Sequence, residues 1–293
     1  MNSTDAKVGI VILNYKVAHL AIKAVHSVLK SSYKNIHIYL VDNNSKDELA
    51  ELAQKEFENN KQVTMLYLKN NTGYTGGNNV GAKAALKDSC DWVLLFNPDA
   101  VVEKDTIEIM LERAIANNAQ LVNPKIYFAQ SKKIWFAGKI FDKLNVLGHH
   151  RGVDEEDTGK YDTEEELEDG TGCALFVKDE VFKKIGYLDE RYFLYYEESD
   201  FIYRARQSGF KVMYIPKAIV YHDNAKSTGL GSPLQDYFIT RNRMLFAKKF
   251  LPFRTQFALI REAMRTSIKY STRRLALMDY LMGNFGKGSY IKD

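Results

Sequence analysis

A chain of 293 residues with 45% hydrophobic content has room for one large domain with an appendage and can fill a core, which excludes a disordered protein. Its formal net charge of +4 is too small to point to nucleic acid as a partner. The two cysteines, Cys90 and Cys173, supply neither a disulfide framework nor metal-ligand spacing, and both are expected in the core of a protein from a reducing compartment.

The opening MNSTDAKVGIVILNY is polar before a short apolar run. It predicts a buried strand over 8–14 rather than a secretion signal or membrane span, and with it a cytoplasmic protein. Strands are also expected over 36–42, 63–69 and 92–97, with helices over 19–31, 46–59, 76–89 and 104–117. Ser45 and either Glu103 or Asp105 are the expected caps of the second and fourth helices. This alternation is that of βαβ units in a mainly parallel α/β sheet, and it places the polar strand ends Asn14, Asp42 and Asn97 at one crevice.

After Gln120 the pattern changes to shorter strands over 121–127 and 134–141. Residues 154–169 are acidic with almost no apolar side chains and read as a solvated, mobile loop. A strand over 173–177, helices over 178–185 and 198–208, and a strand over 211–215 stopped by Pro216 follow, with a strand-like run ahead of His222. From Asp236 onward the pattern is helical: Phe257, Ile260, Met264 and Ile268 share a stripe flanked by Arg254, Arg261, Arg265 and Lys269. That stripe reads either as a helix packed on the domain or as an interfacial helix resting on anionic lipid. From Lys248 to the end, ten lysines and arginines face three acids, a local charge of +7 that leaves the remainder at −3.

Five places carry polar groups that chemistry could use. In WVLLFNPDAV, the carboxylate of Asp99 follows a strand end, where a hard oxygen ligand suits a metal and a phosphorylated substrate; as a bare triplet Asn-Pro-Asp is also an ordinary turn. The segment NNTGYTGGNNVG, with Gly76, Gly77, Asn78 and Asn79, opens a helix where glycines let backbone amides approach a ligand. It is neither GxGxxG nor a P-loop, which disfavours hydride transfer and nucleotide hydrolysis. In DGTGCALF, the backbone around Thr171, Gly172 and Cys173 admits a sugar or acceptor, or is a plain turn. In YFLYYEESD, Glu197, Glu198 and Asp200 follow an aromatic run, where one acid could act as a general base, or all three could face a helix dipole. His222 is a structural histidine or a metal ligand.

Together, VILNY, VDNNS, NTGYTGGNN, NPD, DGTGCALF, YFLYYEESDF with Arg204, and IVYH resemble the family 2 inverting nucleotide-sugar glycosyltransferases, in particular their bacterial rhamnosyltransferase-like branch. The resemblance covers roughly residues 7–250. It implies a GT-A nucleotide-sugar-binding fold over 1–235 with a helical, basic amphipathic extension over 236–293. It also implies Asp42 at the nucleoside with Asn14 and Asn44 nearby, Gly76 to Asn79 along the nucleotide-sugar, and Asp99 holding Mg²⁺ or Mn²⁺. Asn97 takes the first position of the family's Asp-x-Asp triplet, and His222 is a second metal or diphosphate ligand. Glu198 falls where the family carries its catalytic aspartate, one methylene longer, and Glu197 serves if the helix start is shifted by one residue. The implied donor is dTDP-L-rhamnose, with galactofuranose, glucose and N-acetylhexosamine left open. The implied acceptor is lipid-linked or an oligosaccharide of cell-wall or capsular polysaccharide, at an anionic inner-membrane surface. Nucleic acid is not among the partners, and an oligomer is left open. Two other classes compete: a non-catalytic nucleotide-sugar-binding scaffold, and a nucleotidyltransferase, which needs a basic glycine-rich loop that VILNYKVAHL does not supply.

Overall fold

A computed structural model describes residues 5–223 and 231–291. Its first half follows from the alternation of apolar runs and helical stretches. Strands β1 (Val8–Asn14), β2 (Ile36–Asp42), β3 (Val63–Tyr67) and β4 (Trp92–Phe96) lie parallel in the order β4-β1-β2-β3. Helices α1 (Ala18–Leu29), α2 (Leu49–Phe57) and α3 (Gly73–Lys87) make the crossovers. Every residue of β1 and β4 is buried, as expected for interior strands of a sheet covered on both faces. On the face carrying Val11 and Leu13, α3 comes so close that a Cβ at Gly81 would stand 2.3 Å from Val11, and one at Gly77 2.3 Å from Leu13.

The sheet continues through β5 (Ala100–Val102), α4 (Thr106–Ala116), β6 (Leu121–Phe128) and β7 (Ile134–Phe136). A hairpin of β8 (Lys139–Asp142) and β9 (Leu147–His150) stands apart as its own two-stranded sheet. Then come β10 (Glu165–Glu166), β11 (Ala174–Lys178), α5 (Asp179–Ile185), α6 (Glu197–Gln207) and β12 (Val212–His222). The full order is β10-β12-β6-β11-β4-β1-β2-β3, with β5 on β12 and β7 on β6. Strand β11 runs antiparallel between β4 and β6 and so joins the parallel half to the mixed half. Three helices close the chain: α7 (Pro233–Phe250), α8 (Phe253–Ser267) and α9 (Ser271–Met282).

Several elements differ from the sequence reading for identifiable reasons. The single strand expected over 134–141 is two, because Gly138 takes a φ of +99° beside the Arg151 guanidinium, where a Cβ would stand 2.3 Å from a guanidinium nitrogen. The acidic stretch 154–169 is exposed over most of its length, as expected of a solvated loop, yet it is tied to the sheet: Glu165 and Glu166 pair with Tyr214 and Met213 of β12, Arg113 forks onto Glu164 at 2.7 and 2.8 Å, and buried Lys125 takes Asp157 at 2.7 Å. Pro216 does not stop its strand. It sits in a register shift between Ile215 and Ile219, where the missing N–H breaks no ladder bond. Ser45 exchanges hydrogen bonds with Asn14 instead of capping α2, and Asp105, though the residue before α4, makes no side-chain cap bond. The boundary expected at 235/236 falls inside α7, whose N-cap is Ser232.

Candidate active site

The C-terminal ends of the adjacent parallel strands β1, β2 and β4 lie together at one edge of the sheet, the edge where open α/β sheets bind their ligands. Register alone brings Asn14 opposite Asp42. The Asn14 amide nitrogen lies 2.9 Å from Ser45 Oγ and 3.3 Å from Asp42 Oδ1, and its oxygen accepts from Val17 N, so Asn14 is a buried bracket between strand ends. Asn44 has a φ of 57°, and its neighbour Asn43 ties this corner to the start of α3 by donating to Gly73 O at 3.1 Å and accepting from Thr72 N at 2.9 Å. Asp42 is left half-buried at the lip.

Helix α3 begins at Gly73, three residues earlier than expected, and this changes what its polar residues do. Asn79 turns away from the crevice: its amide donates to Leu188 O at 2.9 Å and its oxygen accepts from Leu188 N at 3.0 Å. Asn78 donates to Tyr74 O, Gly77 packs on Leu13, and a Cβ at Gly76 would strike Thr72. Of the four residues expected along a donor, Gly77 and Asn79 are engaged in packing on Leu13 and Leu188.

Asp99 follows β4, and β5 carries the chain antiparallel to the end of β12, pairing Ala100 with His222. Asp223 N donates to Asp99 O at 2.8 Å, and the Asp99 and His222 side chains, 123 positions apart, meet with Nε2 at 3.0 Å from Oδ1. Both are buried, and Trp135 presses against the His222 ring at 4.5 Å. His222 Nδ1 and Asn97 Oδ1 are buried without a hydrogen-bond partner among the described residues. Such orphaned atoms are costly unless a ligand completes them. Among the described residues no group of three or more His, Cys, Asp or Glu side chains could hold a metal. One carboxylate and one imidazole are a partial set, which fits Mg²⁺ or Mn²⁺ sharing its coordination with substrate phosphates.

The third wall comes from β11 and α6. Asn97 N donates to Cys173 O at 2.9 Å, which places the 171–173 turn against the Asn-Pro-Asp segment. Thr171 Oγ1 accepts from Cys173 N, and Cys173 is buried, so these two side chains serve the turn itself. Gly172 is half-buried, and its missing Cβ admits the Tyr74 hydroxyl: a Cβ there would stand 2.9 Å from the Tyr74 oxygen and 3.6 Å from Glu198 Cβ. Tyr74 donates to Gly172 O at 2.7 Å, and burial pushes its phenol well above the usual range, with Glu197, Glu198 and Asp99 adding to the effect. One side chain thus feels the carboxylates of both walls.

The adjacent acids Glu197 and Glu198 live in different surroundings. Glu197 is buried with Oε2 unpartnered among the described residues, and burial first, then Glu198, push its carboxyl well above the usual range. Glu198 is partly open and lies 3.3 Å from the ammonium of Lys139. Lys139 also meets Asp169 at 2.9 Å and Ser199 Oγ at 2.9 Å. Burial alone would depress the lysine; Asp169 and then Glu198 override it and hold the ammonium above its usual range. Lys139 was not anticipated, since a lysine in a strand reads as a surface residue until the fold closes over it. Asp200, by contrast, is fully buried and bonded to Arg204 at 2.7 Å, to Tyr192 at 3.2 Å and to Lys249, which makes it an anchor of α6 rather than a group facing the crevice.

Residues 9–186, more than half the chain, match the model of the family described as glycosyl transferase family 2. The chain belongs to that family. This glycosyltransferase is 27% identical to the low-salt glycan biosynthesis hexosyltransferase Agl10 of Haloferax volcanii, over 81% of this chain and 74% of that protein. It is 24% identical to the dTDP-rhamnosyl transferase RfbF of Shigella flexneri over 98% of this chain and 99% of that one. It is 26% identical to the N-acetylglucosaminyl-diphospho-decaprenol L-rhamnosyltransferase of Mycobacterium tuberculosis over 69% and 71%. Among solved structures it resembles GalNAc-T7 with UDP, GalNAc and Mn²⁺ (TM-score 0.64, 15% identity, 90% of this chain, 58% of that one). It also resembles S. aureus TarS (TM-score 0.58, 14% identity, 97% of this chain, 44% of that one). The fold of this family 2 enzyme is therefore the GT-A arrangement, a mostly parallel sheet with C-terminal helices.

Proposed function

We propose that this glycosyltransferase moves a hexose, with L-rhamnose from dTDP-rhamnose as first choice, onto a hydroxyl of a lipid-linked or oligosaccharide acceptor in cell-wall or capsular polysaccharide synthesis, inverting the anomeric centre. The observation that carries the reading is Glu198: a partly open carboxylate beside the Lys139 cation and Gly172, whose turn is tied to the Asn-Pro-Asp segment of Asp99 by the Asn97–Cys173 hydrogen bond. A base must reach the acceptor hydroxyl, and Glu198 is the partly open member of the acidic pair, held by the Lys139 ammonium at 3.3 Å. Glu197, driven toward the neutral acid, is the poorer choice.

In this scheme Glu198 takes the acceptor hydroxyl proton as the oxygen forms its bond to the anomeric carbon. The bond from that carbon to the diphosphate oxygen breaks, and the nucleoside diphosphate leaves with the electron pair. Asp42 and Asn44 hold the nucleoside end, with buried Asn14 bracing Asp42 from behind, and Asp99 with His222 would hold Mg²⁺ or Mn²⁺. Bound there, the ion supplies positive charge against the departing diphosphate. The acceptor would approach the partly open Glu198 beside the 171–173 turn.

The extension would rest on an anionic membrane surface at its inner face. Phe253 (78% exposed), Phe257 (57%), Met264 (57%) and Ile268 (88%) are open on α8, with Arg254, Arg261, Arg265 and Lys269 exposed alongside. No helix among the described residues is long and apolar enough to cross a membrane. Apolar side chains interleaved with cations complement a headgroup layer of opposite charge.

The test is thermal stability and product release with dTDP-rhamnose, UDP-glucose, UDP-galactofuranose and UDP-N-acetylglucosamine, each with Mn²⁺ or EDTA. A metal-dependent shift and release with dTDP-rhamnose is expected. Release from another donor reassigns the sugar, and neither shift nor release from any donor returns the chain to the scaffold reading. Flotation with anionic liposomes tests the surface; absence of binding at low salt contradicts it.

A further inference from the structure

The turn that delivers α6 to the crevice is built against local preference. Phe193, Tyr195 and Tyr196 have φ of 65°, 67° and 76°. This left-handed region is one that bulky side chains rarely enter, and none of the three has the short polar side chain that eases it. Such a turn persists only where its surroundings over-determine it.

Those surroundings come from α7. The Asn242 amide nitrogen sits 3.0, 2.8 and 2.8 Å from the carbonyl oxygens of Tyr192, Leu194 and Tyr195. Arg241 donates to Tyr192 O at 3.0 Å and to Arg191 O at 3.3 Å, and its Nε donates to Asn242 Oδ1 at 3.1 Å, locking which end of the amide faces the turn. Both residues are wholly buried. From the other side Thr75 N donates to Phe193 O at 3.2 Å, Phe193 lies over Gly73, and its ring stacks on Phe238 of α7 at 5.4 Å. The turn is gripped between α7 and the first turn of α3, and Glu198 lies two residues beyond it.

We propose that Arg241 and Asn242 are positioning residues for catalysis: helix α7 of the C-terminal extension holds the 192–196 turn in its left-handed form and thereby sets Glu198 against the acceptor site. The extension then completes the active site in addition to any role at a surface. This rests on the reading of Glu198 as the base.

Asn242→Asp is the discriminating variant, because it keeps shape and the oxygen facing Arg241 while presenting a carboxylate oxygen to three carbonyls. The expected result is a fall in kcat of about 10²-fold, as for a displaced reacting group, with donor KM within about twofold and faster hydrogen exchange across residues 193–198. A merely structural role lowers the melting temperature and leaves kcat of the folded protein intact; folded N242D with parental kcat overturns the proposal. Should N242D fail to fold, Arg241→Lys keeps the charge and loses the fork, and it should lower kcat several-fold at unchanged donor KM; parental kcat there likewise overturns it. Glu198→Gln measured alongside separates the two claims. An inactive E198Q beside a fully active N242D removes the clamp alone. An active E198Q removes the base assignment, and the clamp then stands or falls on the hydrogen exchange of N242D.

Discussion

The Asn14–Asp42 side of the site is assembled from strand neighbours, which end adjacent parallel strands and meet by register. The Glu198 side is assembled from distant pieces. Lys139 on a hairpin reaches Glu198 across 59 positions, Asp169 joins them from a third segment, and Asn242 supports the turn from a fourth. Chemistry placed by a regular sheet is robust to change in any one loop, whereas chemistry placed by converging loops depends on each buried polar contact that holds them.

After Glu198, the largest effect that would test this contrast is expected at Asp99, which the sheet delivers and the proposed chemistry uses. Asp99→Asn should lower kcat about 10²- to 10³-fold and abolish the metal dependence of donor binding, with little change in melting temperature; retained metal dependence in calorimetry would remove Asp99 from the ion site. Lys139→Met probes the other wall. Leaving Asp169 and Glu198 without their buried cation should cost about 3–5 kcal/mol in denaturant unfolding. In the folded fraction transfer should slow, since Glu198 loses the ammonium that fixes it at 3.3 Å. Parental kcat would mean that Lys139 only supports the fold.

Asn79→Ala asks whether α3 faces the donor or the core. Loss of its bonds to Leu188 should cost about 1–3 kcal/mol with donor affinity intact; a stable variant with tenfold weaker donor binding would restore the sequence expectation. The smallest effect is expected from Glu197→Gln. The folded parent keeps its Glu197 proton above the pH at which the unfolded chain releases it, so folding stability falls as pH rises from the ordinary carboxylate range toward the raised value. E197Q should lack that decline and gain on the parent at higher pH in parallel denaturation curves; identical pH slopes would show that Glu197 is not held neutral.

The same contrast governs what could be read from the sequence. Strands β1 and β2 were legible to their ends because apolar runs bounded by polar residues decide a buried parallel strand locally. Asp99, Glu198 and His222 stood out through their motif contexts. Lys139 and Asn242 did not, since an isolated lysine or asparagine gains meaning only from carboxylates or carbonyls far along the chain. The tethering of the acidic stretch 154–169 is not readable locally for the same reason: its partners Arg113, Arg151 and Lys125 lie outside it, so composition gives only half of each ion pair. Pro216 was read by its local rule, and the register shift that suspends the rule depends on pairing with β6.

Glu198→Gln, assayed for single-turnover transfer from the identified donor with donor affinity measured by calorimetry, tests the central claim most directly. The account predicts transfer slowed about 10²- to 10⁴-fold with donor affinity and its metal dependence preserved. Transfer at close to the parental rate would contradict it.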